Sequence, residues 1–302
     1  MFNRIVGEPV GTSDYFIDKM QQATIKYFRE RNGIQIEDLS LISLNGEGKI
    51  EDRVDLLYSQ LNNYMDKIQE ADLVLFVAHS QGTPVTALII ERLIENNIIN
   101  TKKQRTGMMA LEYILSNGVR ISAVGSWYDQ VVPLYSATLQ GINHPNVFRA
   151  LYIHAQDYQP DFLSHLVVFG LKLRNKGLTD YGLITQLSDY LAGNIYGFGT
   201  QGHSAIYEEL DTYYVSLSWI MGQNKLWDLQ QEEIASKFKA PYKTNPFNLP
   251  WIIAKLTSDE NIKKDQELSN DLKELQELFK IWIPNSQLKE LKYSLEMFKA
   301  KL

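Results

Sequence analysis

The chain has 302 residues, 44% of them hydrophobic and 22% charged, with a net charge of -6 and no cysteine. That balance is ordinary for a globular protein and leaves room for one large α/β domain, or for a domain of about 200 residues with an appendage. It excludes disulfides, thiolate metal sites and cysteine nucleophiles, and the acidic balance argues against general nucleic-acid binding, which needs a basic face.

The first residues, Met1-Phe2-Asn3-Arg4-Ile5-Val6, lack the apolar core of a secretory signal. No run approaches the roughly 18 apolar residues of a membrane span. The expected setting is therefore cytoplasmic and soluble, with peripheral membrane contact left open. Residues 1–13 are rich in Gly and Pro and end in Ser13, a good helix N-cap. From Asp14 to Glu30 the apolar residues Phe16, Ile17, Met20, Ala23, Tyr27 and Phe28 recur near helical spacing. Ile36–Leu44 reads as a buried strand broken by Asn45-Gly46-Glu47-Gly48. Val54, Leu57, Tyr58, Leu61, Tyr64, Met65 and Ile68 form a second helical stripe.

That helix leads into Leu73-Val74-Leu75-Phe76-Val77-Ala78-His79-Ser80-Gln81-Gly82-Thr83-Pro84. An apolar run, a Ser with small residues at both second neighbours, and a helical pattern read as strand, sharp turn and helix. This is the G-x-S-x-G nucleophile elbow with Ala78 in place of the first Gly, and the small side chains suit a strained tight turn. Alternating helices and strands up to here imply a mostly parallel sheet with helices on both faces.

The helix after the elbow is expected to end near Asn96, followed by a polar loop and a short helix over Met108–Leu115. The next strand is Val119–Gly125. Asp129 lies just past its end, at the sheet edge where ligands and catalytic groups gather. Phe148–Ala155 is a further strand candidate, and residues 161–193 read as an inserted helical pair, either a lid or a plain cover. Four glycines between Gly193 and His203 make an irregular loop that delivers His203 to the start of a helix. Leu226–Lys255, with three prolines, reads as an extended wrap. Leu268, Leu272, Leu275, Phe279 and Trp282 then form one helical stripe, which packs on the protein's own core or docks a membrane surface or a partner helix.

Hydrolysis of an ester at neutral pH needs a hydroxyl whose proton is removed as it attacks, a histidine to take that proton, and an acid to orient the histidine. Ser80, Asp129 and His203 occur in the chain order that one hydrolase architecture uses, nucleophile, acid, base. Among rivals, His79 is beside the nucleophile and lines a pocket, while His154 and His165 read as packing residues. His144 sits in a turn, and Asp157 and Asp161 follow a later strand. The oxyanion needs two backbone N–H donors. Gln81 supplies the first, and the second is expected from a loop after an earlier strand, none of which stands upstream of Gly7.

With those residues in view, the chain resembles a family of fungal α/β-hydrolases that act on ester bonds and are related to lipases and carboxylesterases. The resemblance spans about Val6 to Met221. It rests on Val6-Gly7-Glu8-Pro9-Val10-Gly11-Thr12-Ser13, Ala78-His79-Ser80-Gln81-Gly82, Gly125-Ser126-Trp127-Tyr128-Asp129-Gln130-Val131-Val132-Pro133 and Gly202-His203-Ser204-Ala205-Ile206-Tyr207. It implies an α/β-hydrolase fold with a triad of Ser80, Asp129 and His203. Family members carry a strand and a His-Gly loop before the Gly-Glu-Pro block, and a further strand between the elbow helix and the Met108 helix. The expectation is thus a fold lacking early strands, through a truncated or spliced gene model or through loss of parts of the site.

The expected organisation is a hydrolase domain over 1–222 and a mostly helical C-terminal extension over 223–302. The expected activity is that of a serine esterase or lipase-like enzyme, without cofactor or metal, on a small-molecule or lipid ester. The alternative is a catalytically impaired hydrolase-fold protein that binds lipid or protein. Oligomeric state is left open.

Overall fold

Helical periodicity and turn chemistry account for most of the elements. The computed structural model describes residues 12–36, 38–99, 110–127, 129–154, 158, 160–191, 202–222, 245, 247–285 and 288–299. The Gly-Pro-rich N-terminal loop, the glycine-rich segment before His203 and the proline-rich stretch up to 244 fall outside those residues. Along the chain come α1 (Thr12–Asn32), α2 (Ile50–Leu61), a 3-10 turn (Asn62–Tyr64), α3 (Met65–Glu70), α4 (Gly82–Glu95) and α5 (Ala110–Ser116). Next are β1 (Ile121–Ser126), α6 (Leu134–Ala137), β2 (Val147–Tyr152), α7 (Phe162–Asn175), α8 (Leu183–Leu191), α9 (Gly202–Ala205) and α10 (Leu210–Ile220). The last described elements are α11 (Asn248–Ser258), α12 (Glu260–Lys264), α13 (Gln266–Ile281), α14 (Lys289–Ser294) and a 3-10 turn (Glu296–Lys299). These elements gather into two compact units, one of residues 1–120 with 207–222, the other of 121–206 with 223–302.

In the first unit the strands expected at Ile36–Leu44 and Leu73–Ala78 are not strands: among the described residues neither takes part in a ladder. The 73–77 segment nevertheless keeps the side-chain alternation of one. Val74 and Phe76 pack with Leu44, Val54, Leu57, Leu61, Val85 and Ile89, the cluster that α2 and α4 bury. Leu75 and Val77 pack the opposite way, with Ala23, Tyr27, Tyr213 and Leu217 of α1 and α10. A period of two sends successive side chains to opposite faces, so this segment lies between two helical layers. The hydrophobic pattern reports those faces and not the backbone partners, which is why it suggested a strand.

The single helix expected across Val54–Ile68 is broken instead at Asn62-Asn63, residues whose side chains compete for backbone hydrogen bonds. At the end of α4, Asn97 takes a left-handed φ of 56°. The Ile98 N–H reaches Leu93 C=O at 2.9 Å and the Asn97 N–H reaches Ile94 C=O at 3.0 Å. This is a Schellman termination, in which asparagine stands where glycine is commoner.

In the second unit β1 and β2 are parallel, with Ile121 opposite Val147 and Ser126 opposite Tyr152. They are the only paired strands among the described residues. The pair is shorter than the broad parallel sheet expected, so the α/β-hydrolase architecture is reduced to a small parallel sheet among many helices. α6 crosses close over β1: a Cβ on Gly125 would stand 2.5 Å from Leu134 Cδ1 and 3.0 Å from Thr138 Cγ2, so any larger residue there would push the Leu134 side chain aside.

α7 is capped by Asp161, whose side chain accepts the Ser164 N–H at 3.0 Å, and is buried along most of its length. The stripe on α13 faces inward. Leu268, Leu272, Leu275 and Phe279 are fully buried, and Phe162 of α7 stacks against Phe279 and Trp282 at 5.0 Å each. At the rim, Lys172 pairs with Asp271 and Glu267, and Lys176 with Asp265 and Glu267. The C-terminal helices therefore share one hydrophobic core with α7 and α8, and the α13 stripe has no apolar face to spare for a partner. The extended wrap expected over Leu226–Lys255 is helical in its last part, as α11, with Pro250 in the first turn, where a missing N–H costs nothing.

Candidate active site

Ser80 has a φ of 50°, left-handed and rare for a residue with a side chain. Holding a serine there costs on the order of 1–2 kcal/mol. The turn is fastened by the Gly82 N–H on His79 C=O at 2.8 Å and the Thr83 N–H on Ser80 C=O at 3.0 Å. Gln81 is already helical, at φ -60° and ψ -17°, and α4 begins with the next residue, the buried Gly82. The Gln81 N–H thus stands at the positive end of a 14-residue helix.

His79 turns into an aromatic cluster. Its ring meets Tyr207 edge-on at 5.0 Å, and Tyr207 meets Phe16 at 4.4 Å. This cluster braces the turn from the α1 side.

Asp129 follows β1 by three residues and is 8% exposed. Its Oδ1 accepts the N–H groups of Val131 and Val132 at 2.8 and 2.9 Å, and Oδ2 lies 2.8 Å from His203 Nδ1. Burial pushes the carboxyl pKa up, but the hydrogen bonds from His203 and the two amides outweigh it and hold the group below the usual carboxylate range. An ionised Asp129 accepts from Nδ1, which places the imidazole proton there and leaves Nε2 as the basic nitrogen. His203 sits in the four-residue helix α9 with its side chain 15% exposed. The two residues read from the sequence as acid and base are thus hydrogen-bonded, although 74 positions separate them. Ser80 and Gln81 stand together on the turn into α4.

Three of the rival residues, His144, His165 and Asp161, are engaged locally. His144 Nδ1 accepts the Asn146 N–H at 3.0 Å within its own turn. His165 Nδ1 lies 2.8 Å from Asp161 C=O, one turn back on α7. Asp161 is spent as the cap of α7, and Asp157 falls outside the described residues.

With this geometry in place, the family comparison becomes specific. The chain matches the family model of the YMC0/YMC35 alpha/beta hydrolase domain over residues 1–111 and 102–260. It belongs to that family. No curated protein and no solved structure matches the chain. Both halves of the match contain candidate site residues, Ser80 and Gln81 in the first and Asp129 and His203 in the second. Membership makes the chain an α/β-hydrolase-domain protein of hydrolase type. Among the described residues no helix is long and apolar enough to cross a membrane.

One residue beside the elbow escaped the reading of the sequence. Arg53 on α2 is 1% exposed, and its Nη1 lies 3.5 Å from Gln81 Oε1. The signal was present: Arg53, Leu57 and Leu61 share one stripe at i, i+4 and i+8, so a cation occupies a core-facing position.

Proposed function

We propose that the protein is a serine hydrolase of carboxylic esters that uses Ser80 as nucleophile, His203 as general base and Asp129 as the acid that orients it. The observation that carries this reading is the Asp129–His203 pair, with one carboxylate oxygen fixed by two backbone amides and the other on the imidazole. The left-handed Ser80 supports it, because an elbow of that kind presents a hydroxyl clear of the backbone at a helix N-terminus.

In the first half-reaction Ser80 Oγ attacks the ester carbonyl while His203 Nε2 takes its proton. The Gln81 N–H donates to the oxyanion, the alcohol leaves with the proton returned by His203, and an acyl-Ser80 ester remains. Water, deprotonated by His203, then releases the acid. Asp129 stays ionised throughout and stabilises the imidazolium. A small-molecule or lipid ester fits this chemistry, which requires no metal.

Covalent labelling tests the reading. A fluorophosphonate should add to the wild-type chain, with the adduct mapped by peptide mass spectrometry to the fragment holding Ser80. A folded wild-type chain that stays unlabelled at Ser80 would sink it.

A further inference from the structure

Arg53 is a fully buried guanidinium with no acid partner among the described residues. Nη1 touches Gln81 Oε1 at 3.5 Å, the outer limit of a hydrogen bond. Nε and Nη2 have no hydrogen-bond partner among the described residues, and no carboxylate there pairs with Arg53. The nearby acid Asp55 is taken by Arg92 at 2.7 Å.

An unpaired buried charge is one of the costliest arrangements in a folded chain. The bare atoms are also not a random pair. Nε–H and Nη2–H lie on one edge of the planar guanidinium and run parallel, as the two oxygens of a carboxylate require. That edge belongs to the residue touching Gln81, whose own N–H opens α4 next to Ser80. A helix N-terminus and a buried cation with free donors thus meet at the elbow, each favouring negative charge.

Resting on the esterase reading above, we propose that Arg53 is a specificity residue that binds an anionic group, carboxylate or phosphate, carried by the ester substrate. The exposed Gln81 side chain lies against Arg53. The incoming anion displaces the Gln81 amide, which gives up only a long contact, and takes the Nε/Nη2 edge in bidentate fashion. The scissile carbonyl is then held about one glutamine side chain away, at the Gln81 N–H. An ester of a dicarboxylic acid, or one with a phosphate a few bonds from the carbonyl, has the required shape.

Binding can be read without turnover. In the Ser80→Ala chain, the thermal midpoint is measured with succinate, with inorganic phosphate and with neutral acetamide at matched ionic strength. Succinate or phosphate should raise the midpoint by several degrees at saturating concentration, and acetamide should not. Which anion acts tells carboxylate from phosphate. With Arg53→Met also introduced, the shift should vanish while the unliganded midpoint stays equal or rises, because an unpaired buried charge has been removed. Arg53→Lys, which keeps the charge but not the fork, should retain a weaker shift.

On the Ser80 background, Arg53→Met should lower kcat/KM for an anionic aryl hemisuccinate by about ten- to a hundredfold more than for the neutral aryl butyrate. The proposal is overturned if neither anion shifts the midpoint, if the shift survives Arg53→Met, or if Arg53→Met alone is markedly destabilised, since Arg53 would then have a structural partner. An Arg53-dependent shift without hydrolysis of either ester supports the anion site and removes only the esterase reading.

Discussion

Replacing Ser80 by alanine should lower the proposed ester turnover by about 10⁴- to 10⁶-fold, and replacing it by glycine should do the same without loss of stability. The first effect follows if Ser80 is the nucleophile proposed above, whose removal leaves only oxyanion and binding contributions. The second follows from the backbone. At φ 50° a serine carries strain that glycine does not. Glycine also makes the unfolded chain more flexible, which offsets part of the relief, so Ser80→Gly gains up to about 1 kcal/mol. Alanine keeps the strain and should stay within about 0.5 kcal/mol of wild type. Ester hydrolysis and urea unfolding on the same preparations read both effects. A Ser80→Gly chain that is clearly less stable than wild type would mean that the serine hydroxyl supports the fold rather than chemistry.

Asp129→Asn should lower kcat by about 10³- to 10⁴-fold with a smaller change in KM, because an amide no longer holds the imidazole with its proton on Nδ1. This substitution also has a pH signature. The native pKa of Asp129 lies below its unfolded value, since the bonds from His203, Val131 and Val132 outweigh burial. The resulting stability is present above the unfolded carboxylate pKa of about 4 and is lost as pH falls through the lower native value. The stability gap between wild type and Asp129→Asn should therefore be constant from about pH 5 to 8 and narrow in acid, as urea unfolding across that range would record. A gap that widens in acid would contradict the assignment of Asp129 as an ionised acceptor.

Local rules made much of this legible. The periods of α1, α4, α7 and α13 were readable because each buries a stripe at helical spacing, and Asp129 and His203 stood out as candidates because they follow a strand and a glycine-rich loop, where functional groups tend to collect. Their hydrogen bond was not, because it joins residues 74 apart through tertiary packing. Leu73–Ala78 misled for a related reason: alternation determines which way Val74 and Leu75 point, while ladder pairing depends on which backbone lies alongside. Arg53 was missed because a single cation on an apolar stripe is usually a side chain reaching back to water. Its 1% exposure, with two bare nitrogens, shows that it does not.

A double-mutant cycle separates a proposed Ser80–His203–Asp129 catalytic unit from residues that act apart. The value of kcat for one aryl ester is compared among wild type, Ser80→Ala, Asp129→Asn and the double variant. Once the nucleophile is gone, an orienting acid has nothing left to assist, so the double variant should match Ser80→Ala within about twofold. Losses that multiply, with the double variant slower by the product of the two single effects, would show that Asp129 acts independently of Ser80 and would contradict the account.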